Sequence, residues 1–320
     1  MKKNNDAAEF NVDEFLRLAD DYLKENHDYL WLKTMLEKGR GTTIPGSTLI
    51  IGNSYALYGI RERAWKNAIN CSMFSQDIYY DFLCARRVLA SEKEGTSFDR
   101  CLIIMGYYGA FQDLSLSTAE REERLSKIFY PIFRDAHNWT EPIPYDPWSP
   151  VGDVPEPVKL HCERTVVERI LAIGTYFDLH FRRSFSDLRG SRSWSEAPEA
   201  DRKAIGASRA ADHNRLFRHK ASLEENKGIF RELVRFLRSR DVTPIVVIPP
   251  FTEEYNRSIL KAMKDSVPEM LDSVPEEVHY VDFNEAPDLF EPADFMDADH
   301  LSAAGAEKMS AILADMFGSA

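Results

Sequence analysis

Cysteine is scarce in this chain of 320 residues. It has four cysteines, and no two of them have the CxxC spacing of a zinc or redox motif. We therefore expect buried free thiols in a reducing compartment and no structural metal site. The chain also lacks a run of about 18 apolar residues, and its charged N-terminus precedes no apolar signal segment. These absences predict a cytoplasmic protein without a membrane span.

Positively charged residues are fewer than negatively charged ones. The chain has 40 Lys and Arg and 52 Asp and Glu, which gives a net charge of −12. An acidic chain is poorly suited to general nucleic-acid binding, so we expect no nucleic-acid partner. Neither GxGxxG nor GxxxxGK[ST], the glycine-rich loops that bind nucleotide phosphates, occurs in the sequence. We therefore predict no cofactor.

Strand and helix patterns alternate along the chain. Continuous apolar runs predict strands at 47–51, 100–105, 243–248 and 278–283. Helical patterns separate and follow them, and one short helix is expected over 61–67. This alternation predicts an α/β fold with three layers, α/β/α, and a mostly parallel sheet.

The same patterns predict how the chain is divided. A helical extension at 1–45 precedes an α/β domain at 46–320, which a helical and loop insertion interrupts at about 118–221. Six prolines fall within residues 140–157 of the insertion, and such a density supports neither a helix nor a central strand. The stretch 184–220 is polar and rich in Arg and Ser, so we expect it to be partly mobile.

The residues that suggest chemistry lie near opposite ends of the α/β domain. Ser54 follows a predicted buried strand through Gly52-Asn53, so a tight turn presents its hydroxyl. Asp297 stands three residues before His300, just ahead of the last helix. A serine hydroxyl attacks poorly unless an imidazole takes its proton, and the imidazole needs a carboxylate to orient it. These residues predict a triad of Ser54, His300 and Asp297.

The two motifs resemble those of the SGNH, or GDSL-like, hydrolases. The family's Gly-Asp-Ser corresponds to Gly52-Asn53-Ser54, and its Asp-x-x-His corresponds to Asp297-Ala298-Asp299-His300. The resemblance covers roughly 47–113 and 222–318, and its tail is most similar to members near cell-surface polysaccharide and teichoic-acid genes. It implies the flavodoxin-like fold of that family and ester chemistry through an acyl-serine.

The resemblance also implies an oxyanion hole. In the family's second block an asparagine precedes, by five residues, a glycine whose backbone N–H binds the oxyanion; Asn70 and Ser75 stand at those places. In its third block, Gly-x-Asn-Asp, the asparagine is a further donor, and Tyr108 stands at that place. The implied donors are the backbone N–H groups of Ser54 and Ser75 and the hydroxyl of Tyr108, unless only two donors exist.

Several further residues have two interpretations. Asn53, Asn70, Gln76 and Tyr107 are candidate substrate-binding residues, and each also suits a turn, a helix start or packing. Either Asp294 or Asp299 could replace Asp297 as the orienting acid, and this acidic cluster with His300 could instead hold a divalent metal. One set of arginines, in and near the stretch 184–220, could recognise an anionic polymer or belong to a solvated loop of mixed charge: Arg182, Arg183, Arg189, Arg192, Arg202, Arg209, Arg215 and Arg218.

Three functions follow from these features. The first is hydrolysis of an O-acyl ester of a small molecule or carbohydrate. The second is O-acyl transfer to a carbohydrate or other alcohol through the same triad. The third is a catalytically silent SGNH-like binding protein. The sequence leaves the acyl group, the alcohol and the oligomeric state open.

Overall fold

The computed structural model describes residues 11–90, 97–118, 120–143, 146–174 and 194–318. Five parallel strands form one sheet in the order β2-β1-β3-β4-β5, the 2-1-3-4-5 order of flavodoxin-like sheets. They are β1 (Ser47–Gly52), β2 (Ala68–Asn70), β3 (Phe98–Ile104), β4 (Thr243–Ile248) and β5 (His279–Asp282). The prediction of a parallel α/β sheet is confirmed.

Helices occupy most of the remaining described residues. The α-helices are α1 (Val12–Gly41), α2 (Ser54–Gly59), α3 (Ile78–Leu89), α4 (Tyr130–Phe133), α5 (Glu156–Ile173), α6 (Glu199–Asn214), α7 (Lys220–Arg238), α8 (Glu253–Ser258), α9 (Lys261–Asp272) and α10 (Ala303–Phe317). A π-helix, Arg121–Phe129, leads directly into α4. None of the helices in the described ranges is long and apolar enough to cross a membrane.

The helices form two layers around the sheet. Helix α3 packs against α7, and α2 packs against α10. Right-handed crossovers between parallel strands place these two pairs on opposite faces of the sheet, which gives the three predicted layers. Every residue of β1 is buried, as expected for a central parallel strand. Because α2 follows β1 and α10 follows the Asp297–His300 loop, their contact brings the two predicted motifs together.

The helix expected over 61–67 does not form, and strand β2 follows this stretch. A single 3₁₀ turn, Glu62–Ala64, precedes it, and Ala68, Ile69 and Asn70 then pair with β1. Three residues are too few to show a two-residue period, and the pairing partner lies about 20 residues away in the sequence. The strand is therefore defined by long-range pairing that local patterns do not reveal.

The insertion contains more regular structure than its composition suggests. Helix α6 lies within the polar stretch 184–220 and packs against α8. A side chain at Gly206 would approach Glu254 Cβ to 2.7 Å and the backbone nitrogen of Tyr255 to 3.0 Å, so glycine permits this close contact. Four of the listed arginines, Arg182, Arg183, Arg189 and Arg192, lie outside the described residues.

The N-terminal helix packs on the insertion. Helix α1 contacts α5 extensively and also contacts α3. The Tyr22 ring of α1 stacks on Trp148, with centroids 3.9 Å apart, and both side chains hydrogen-bond Glu163 of α5, Tyr22 at 3.1 Å and Trp148 at 3.2 Å. The N-terminal helix and the insertion therefore pack against each other. The domain division at residue 45 stays a prediction.

Candidate active site

The turn after β1 presents Ser54 at the carboxyl edge of the sheet. Gly52 has φ +141°, and a Cβ there would collide with the carbonyl oxygen of Ile104 in β3, so only glycine fits. The Asn53 side chain then accepts a hydrogen bond from the backbone nitrogen of Tyr55 at 3.0 Å and caps α2. Ser54 is the first residue of this helix. Ligand sites in such sheets lie at this edge.

The loop before α10 brings the second motif to Ser54. Ser54 Oγ lies 2.9 Å from His300 Nε2, and His300 Nδ1 lies 3.1 and 3.2 Å from the two oxygens of Asp297. Asp297 Oδ1 also accepts the backbone N–H groups of Asp299 at 3.0 Å and His300 at 2.8 Å. The serine, imidazole and carboxylate thus form one hydrogen-bonded series.

Charge interactions set the protonation of this series. Burial alone raises the pKa of Asp297, but the neighbouring His300 and the hydrogen bonds that Asp297 accepts outweigh it and hold the pKa below its usual range. Burial lowers the pKa of His300, whereas Asp297 and Asp299 raise it more, so the net shift is upward. The arrangement therefore favours a carboxylate beside an imidazole that readily accepts a proton.

A second carboxylate lies behind the first. Asp299 is buried and accepts the Tyr55 hydroxyl at 2.8 Å and Arg209 Nε at 3.0 and 3.1 Å. Asp294 instead pairs with Lys308 at 3.1 Å and lies away from the imidazole contacts. Of the three acids considered from the sequence, Asp297 makes the hydrogen bonds to His300.

The expected oxyanion donors follow three neighbouring strands, because Ser75, Ser54 and Tyr108 come after β2, β1 and β3. Among the described residues, neither Ser54 N–H nor Ser75 N–H donates to another protein group. Ser75 has φ +56°, a conformation that favours glycine. Its backbone oxygen accepts Gln112 Nε2 at 2.9 Å, and its hydroxyl donates to Glu120 at 2.7 Å. These bonds hold a conformation in which glycine would be less strained.

Tyr108 is buried beside the turn that carries Ser54. Its hydroxyl accepts Asn53 Nδ2 at 3.3 Å, which leaves the hydroxyl hydrogen able to donate. Burial raises the pKa of Tyr108 to about 12, so the hydroxyl keeps that hydrogen at neutral pH. The ring centroid lies 3.9 Å from that of His213 in α6. Asn53 therefore caps α2 and holds Tyr108 through its side chain.

None of the four candidate substrate-binding residues lines the cavity: Asn53 bonds Tyr55 and Tyr108, and three others also lie outside it. Asn70 bonds the backbone of Ala56 and Ser72, and Gln76 bonds Asp81 at 2.7 Å. The Tyr107 hydroxyl donates to Asp282 at 2.7 Å. None of the three lines the cavity beside Ser54. The structure thus corrects the expectation that Asn70, Gln76 and Tyr107 contact substrate, because their polar atoms face the protein interior.

A cavity of about 690 Å³ opens at Ser54. The α/β domain contributes the triad, Ser75 and Tyr108 to its wall, and the insertion contributes further lining residues. Lining residues from the insertion include Glu120, Arg124, Arg209, His213 and Arg218. Sequence reasoning named Arg209 only within a set of arginines that could recognise an anionic polymer, and it missed His213. Their signal was present, because Arg202, Gly206, Arg209 and His213 recur at the spacing of one helix face.

The described residues contain two groups of carboxylates with a histidine that resemble metal sites in composition. In one, Asp297 is bonded to His300 and Asp299 to Arg209, so both charges are already compensated. In the other, Asp77 caps α3 and accepts the Leu114 N–H, while Asp113 accepts the Ser115 N–H. Protein donors explain the position of each carboxylate.

The cysteines play no visible part in the cavity. Cys71, Cys84, Cys101 and Cys162 are all buried and free, as predicted. Burial raises the pKa of the Cys71 thiol, which keeps it protonated and unreactive.

No protein-family model matches this chain, and no curated protein matches it. A solved structure described as that of "a putative platelet activating factor from Streptococcus pneumonia" is 12% identical, with a TM-score of 0.41. The match covers 96% of this chain and 100% of that chain. Similarity of this degree carries no information about activity.

Proposed function

We propose that the protein is a serine-dependent hydrolase of O-acyl esters. The observation that carries the proposal is the continuous series Ser54 Oγ, His300 and Asp297, with separations of 2.9 and 3.1 Å. If Ser54 only capped the helix that follows it, its hydroxyl would bond a backbone group and would not need an imidazole. Its bond to an imidazole that is itself bonded to a partly buried carboxylate is the arrangement that activates a nucleophile.

Each residue has a defined role in the proposed reaction. Ser54 Oγ attacks the acyl carbonyl as His300 Nε2 takes its proton, and Asp297 stabilises the imidazolium that forms. The imidazolium then protonates the leaving alcohol. Water repeats the attack on the acyl-serine, His300 again takes and returns the proton, and the carboxylic acid leaves. The oxyanion donors in this proposal are the backbone N–H groups of Ser54 and Ser75 and the Tyr108 hydroxyl.

The cavity supports a substrate larger than a short acyl group. A volume of about 690 Å³ lies within the range of sites that hold whole small-molecule ligands. Polar and aromatic side chains share its wall, as suits an ester with a carbohydrate or other polar alcohol. The same room supports a second candidate, O-acyl transfer, in which a bound alcohol replaces water at the acyl-serine.

Fluorophosphonate labelling tests the activated serine directly. The purified protein is treated with the probe, and the adduct is located by peptide mass spectrometry. We expect labelling at Ser54 that Ser54→Ala and His300→Ala abolish and that Ser117→Ala, another serine of the cavity, leaves intact. A folded protein that takes up no probe would contradict the proposal and favour a silent binding protein.

Product analysis separates the two catalytic candidates. Acyl esters of simple sugars and of p-nitrophenol are incubated with the protein, with and without a carbohydrate acceptor. Free carboxylic acid as the main product supports hydrolysis. Acylated acceptor in excess of free acid would replace hydrolysis by transfer while keeping the same triad.

A further inference from the structure

Two carboxylates lie beside the proposed base. Asp297 contacts His300 Nδ1 at 3.1 and 3.2 Å, and Asp299 Oδ1 lies 3.6 Å from the same nitrogen. Asp299 is only 2% exposed, so water screens its charge little. The serine mechanism requires one carboxylate at Nδ1 and an imidazole that is neutral before attack. A second uncompensated negative charge would favour imidazolium and compete for the Nδ1 hydrogen.

Arg209 supplies the opposite charge to Asp299. Its Nε donates to both Asp299 oxygens, at 3.0 and 3.1 Å, and the Tyr55 hydroxyl donates to Oδ2 at 2.8 Å. These donors bond both oxygens of the carboxylate. Asp299 is thereby bonded to α2 and α6, and Asp297 is bonded to its own loop and the imidazole.

Helix α6 is docked so that Arg209 reaches this carboxylate. Arg202, Gly206, Arg209 and His213 share one helix face, spaced four, three and four residues apart. Arg202 Nε contacts Glu254 at 3.3 Å, Gly206 lies against the start of α8, and His213 Nδ1 hydrogen-bonds the Tyr255 hydroxyl. Contacts before and after Arg209 along α6 thus fix the position of Arg209 relative to the loop that carries Asp299.

We infer that Arg209, supplied by the insertion, is a positioning residue that holds Asp299 back and offsets its charge, so that Asp297 alone orients His300. The inference rests on the proposed function and extends it, because it makes the insertion part of the machinery that prepares the base. It also explains why an arginine from a polar segment bonds a buried carboxylate of the α/β domain.

The other groups around His300 are consistent with this role. Among the residues that the structure describes, the charged and titratable side chains around it include Asp297 and Asp299 from its loop, Arg209 and His213 from α6, Tyr55 and Tyr58 from α2, and Tyr108 after β3. Burial, with the nearby charges of Arg209 and His300, lowers the pKa of His213 well below its usual value, so His213 is neutral. Arg209 is the fixed cation of this set.

A double-mutant cycle that neutralises Arg209 and Asp299, with the pKa of His300 as the measured quantity, tests the inference. The pKa of His300 is measured by NMR titration in the wild type, Arg209→Gln, Asp299→Asn and the double variant, with His300→Gln to assign the signal. We expect Arg209→Gln to raise the pKa by about one unit and Asp299→Asn to lower it. The double variant returns it close to the wild-type value. Lys203→Gln, which removes an exposed ion pair with Glu199 within α6, leaves it unchanged.

The labelling rate at Ser54 gives the matching kinetic readout. The rate is measured against pH, and it falls on the acid side as His300 becomes protonated. We expect this acid limb to move to higher pH in Arg209→Gln and to lower pH in Asp299→Asn. A merely structural defect would lower the maximum rate without moving the limb. An unchanged His300 pKa in Arg209→Gln, or shifts of the same sign in both single variants, overturns the inference. Absence of labelling in the wild type overturns the proposed function instead, and the NMR result is still informative.

Discussion

The strand-end turns and helix α6 hold their cavity residues in different ways. Ser54 and His300 are fixed by the backbone: Gly52 allows a turn that no other residue fits, and Asp297 bonds two N–H groups of its own loop. Arg209 is fixed by side chains on a docked helix. The positions of residues held by the backbone are determined by the neighbouring sequence. The positions of residues on the docked helix α6 depend on partners far away in the sequence. The difference predicts which substitutions abolish the chemistry and which only adjust it.

We expect the largest loss of activity from substitution of Asp297, whose carboxylate is held by backbone N–H groups of its own loop. Asp297→Asn keeps the side-chain shape but removes the charge that stabilises the imidazolium, so turnover or labelling should fall by about 10⁴-fold. The pKa of His300 is raised in part by Asp297, so loss of that charge moves the acid limb to lower pH. Wild type should have its limb above 6.5, the ordinary value for histidine.

Two other aspartates of the same loop act as controls. Asp294→Asn removes the charge that pairs with Lys308 and alters the bond that Asp294 accepts from the Glu291 N–H, both away from His300, and should retain activity. If Asp299→Asn loses as much activity as expected for Asp297→Asn, and Asp297→Asn does not, then Asp299 is the orienting acid and the assignment is reversed.

Tyr108 lies where the two regions meet, between Asn53 and His213. Tyr108→Phe keeps the ring and removes the proposed oxyanion donor, so kcat should fall by about 10²-fold with little change in KM. Steady-state kinetics on a p-nitrophenyl ester provide the measurement.

Tyr107→Phe is the matched control for that change. The Tyr107 hydroxyl bonds Asp282 outside the cavity, so its loss should reduce stability by about 1 kcal/mol and leave kcat unchanged. Equal effects of the two substitutions on kcat would remove Tyr108 from the oxyanion hole.

The smallest effect is expected from a shift in the docking of α6. Gly206→Ala places a methyl group against Glu254 and Tyr255, so α6 must move and the Arg209 contact should loosen. We expect a fall of a few fold in labelling rate at neutral pH, together with a loss of about 1–3 kcal/mol in unfolding free energy by urea denaturation.

Gly228→Ala in α7 is the corresponding control. A Cβ at Gly228 meets nothing within 4 Å, so alanine should stabilise its helix by up to about 1 kcal/mol without changing labelling. If Gly206→Ala also leaves the labelling rate unchanged, the position of α6 does not influence the base.

The extent of sequence-based prediction follows the same distinction. Ser54, Asp297 and His300 were predictable because each motif specifies its own turn. Strand β2 was not, since three residues acquire their conformation only by pairing with β1. Helix α6 carried usable signals, with Glu199 and Asp201 in its first turn and several alanines. Its flanking polar residues obscured them, and its function depends on contacts with Asp299 that no local pattern contains.

The contact between α1 and α5 has a consequence for synthesis on the ribosome. More than 110 residues separate the end of α1 at Gly41 from the start of α5 at Glu156. At 5–20 residues per second, α1 emerges roughly 6–25 s before its partner exists. Tyr22, which stacks on Trp148 and bonds Glu163 in the folded protein, lacks both partners for that interval. This contact therefore forms only after the first part of the insertion has been translated.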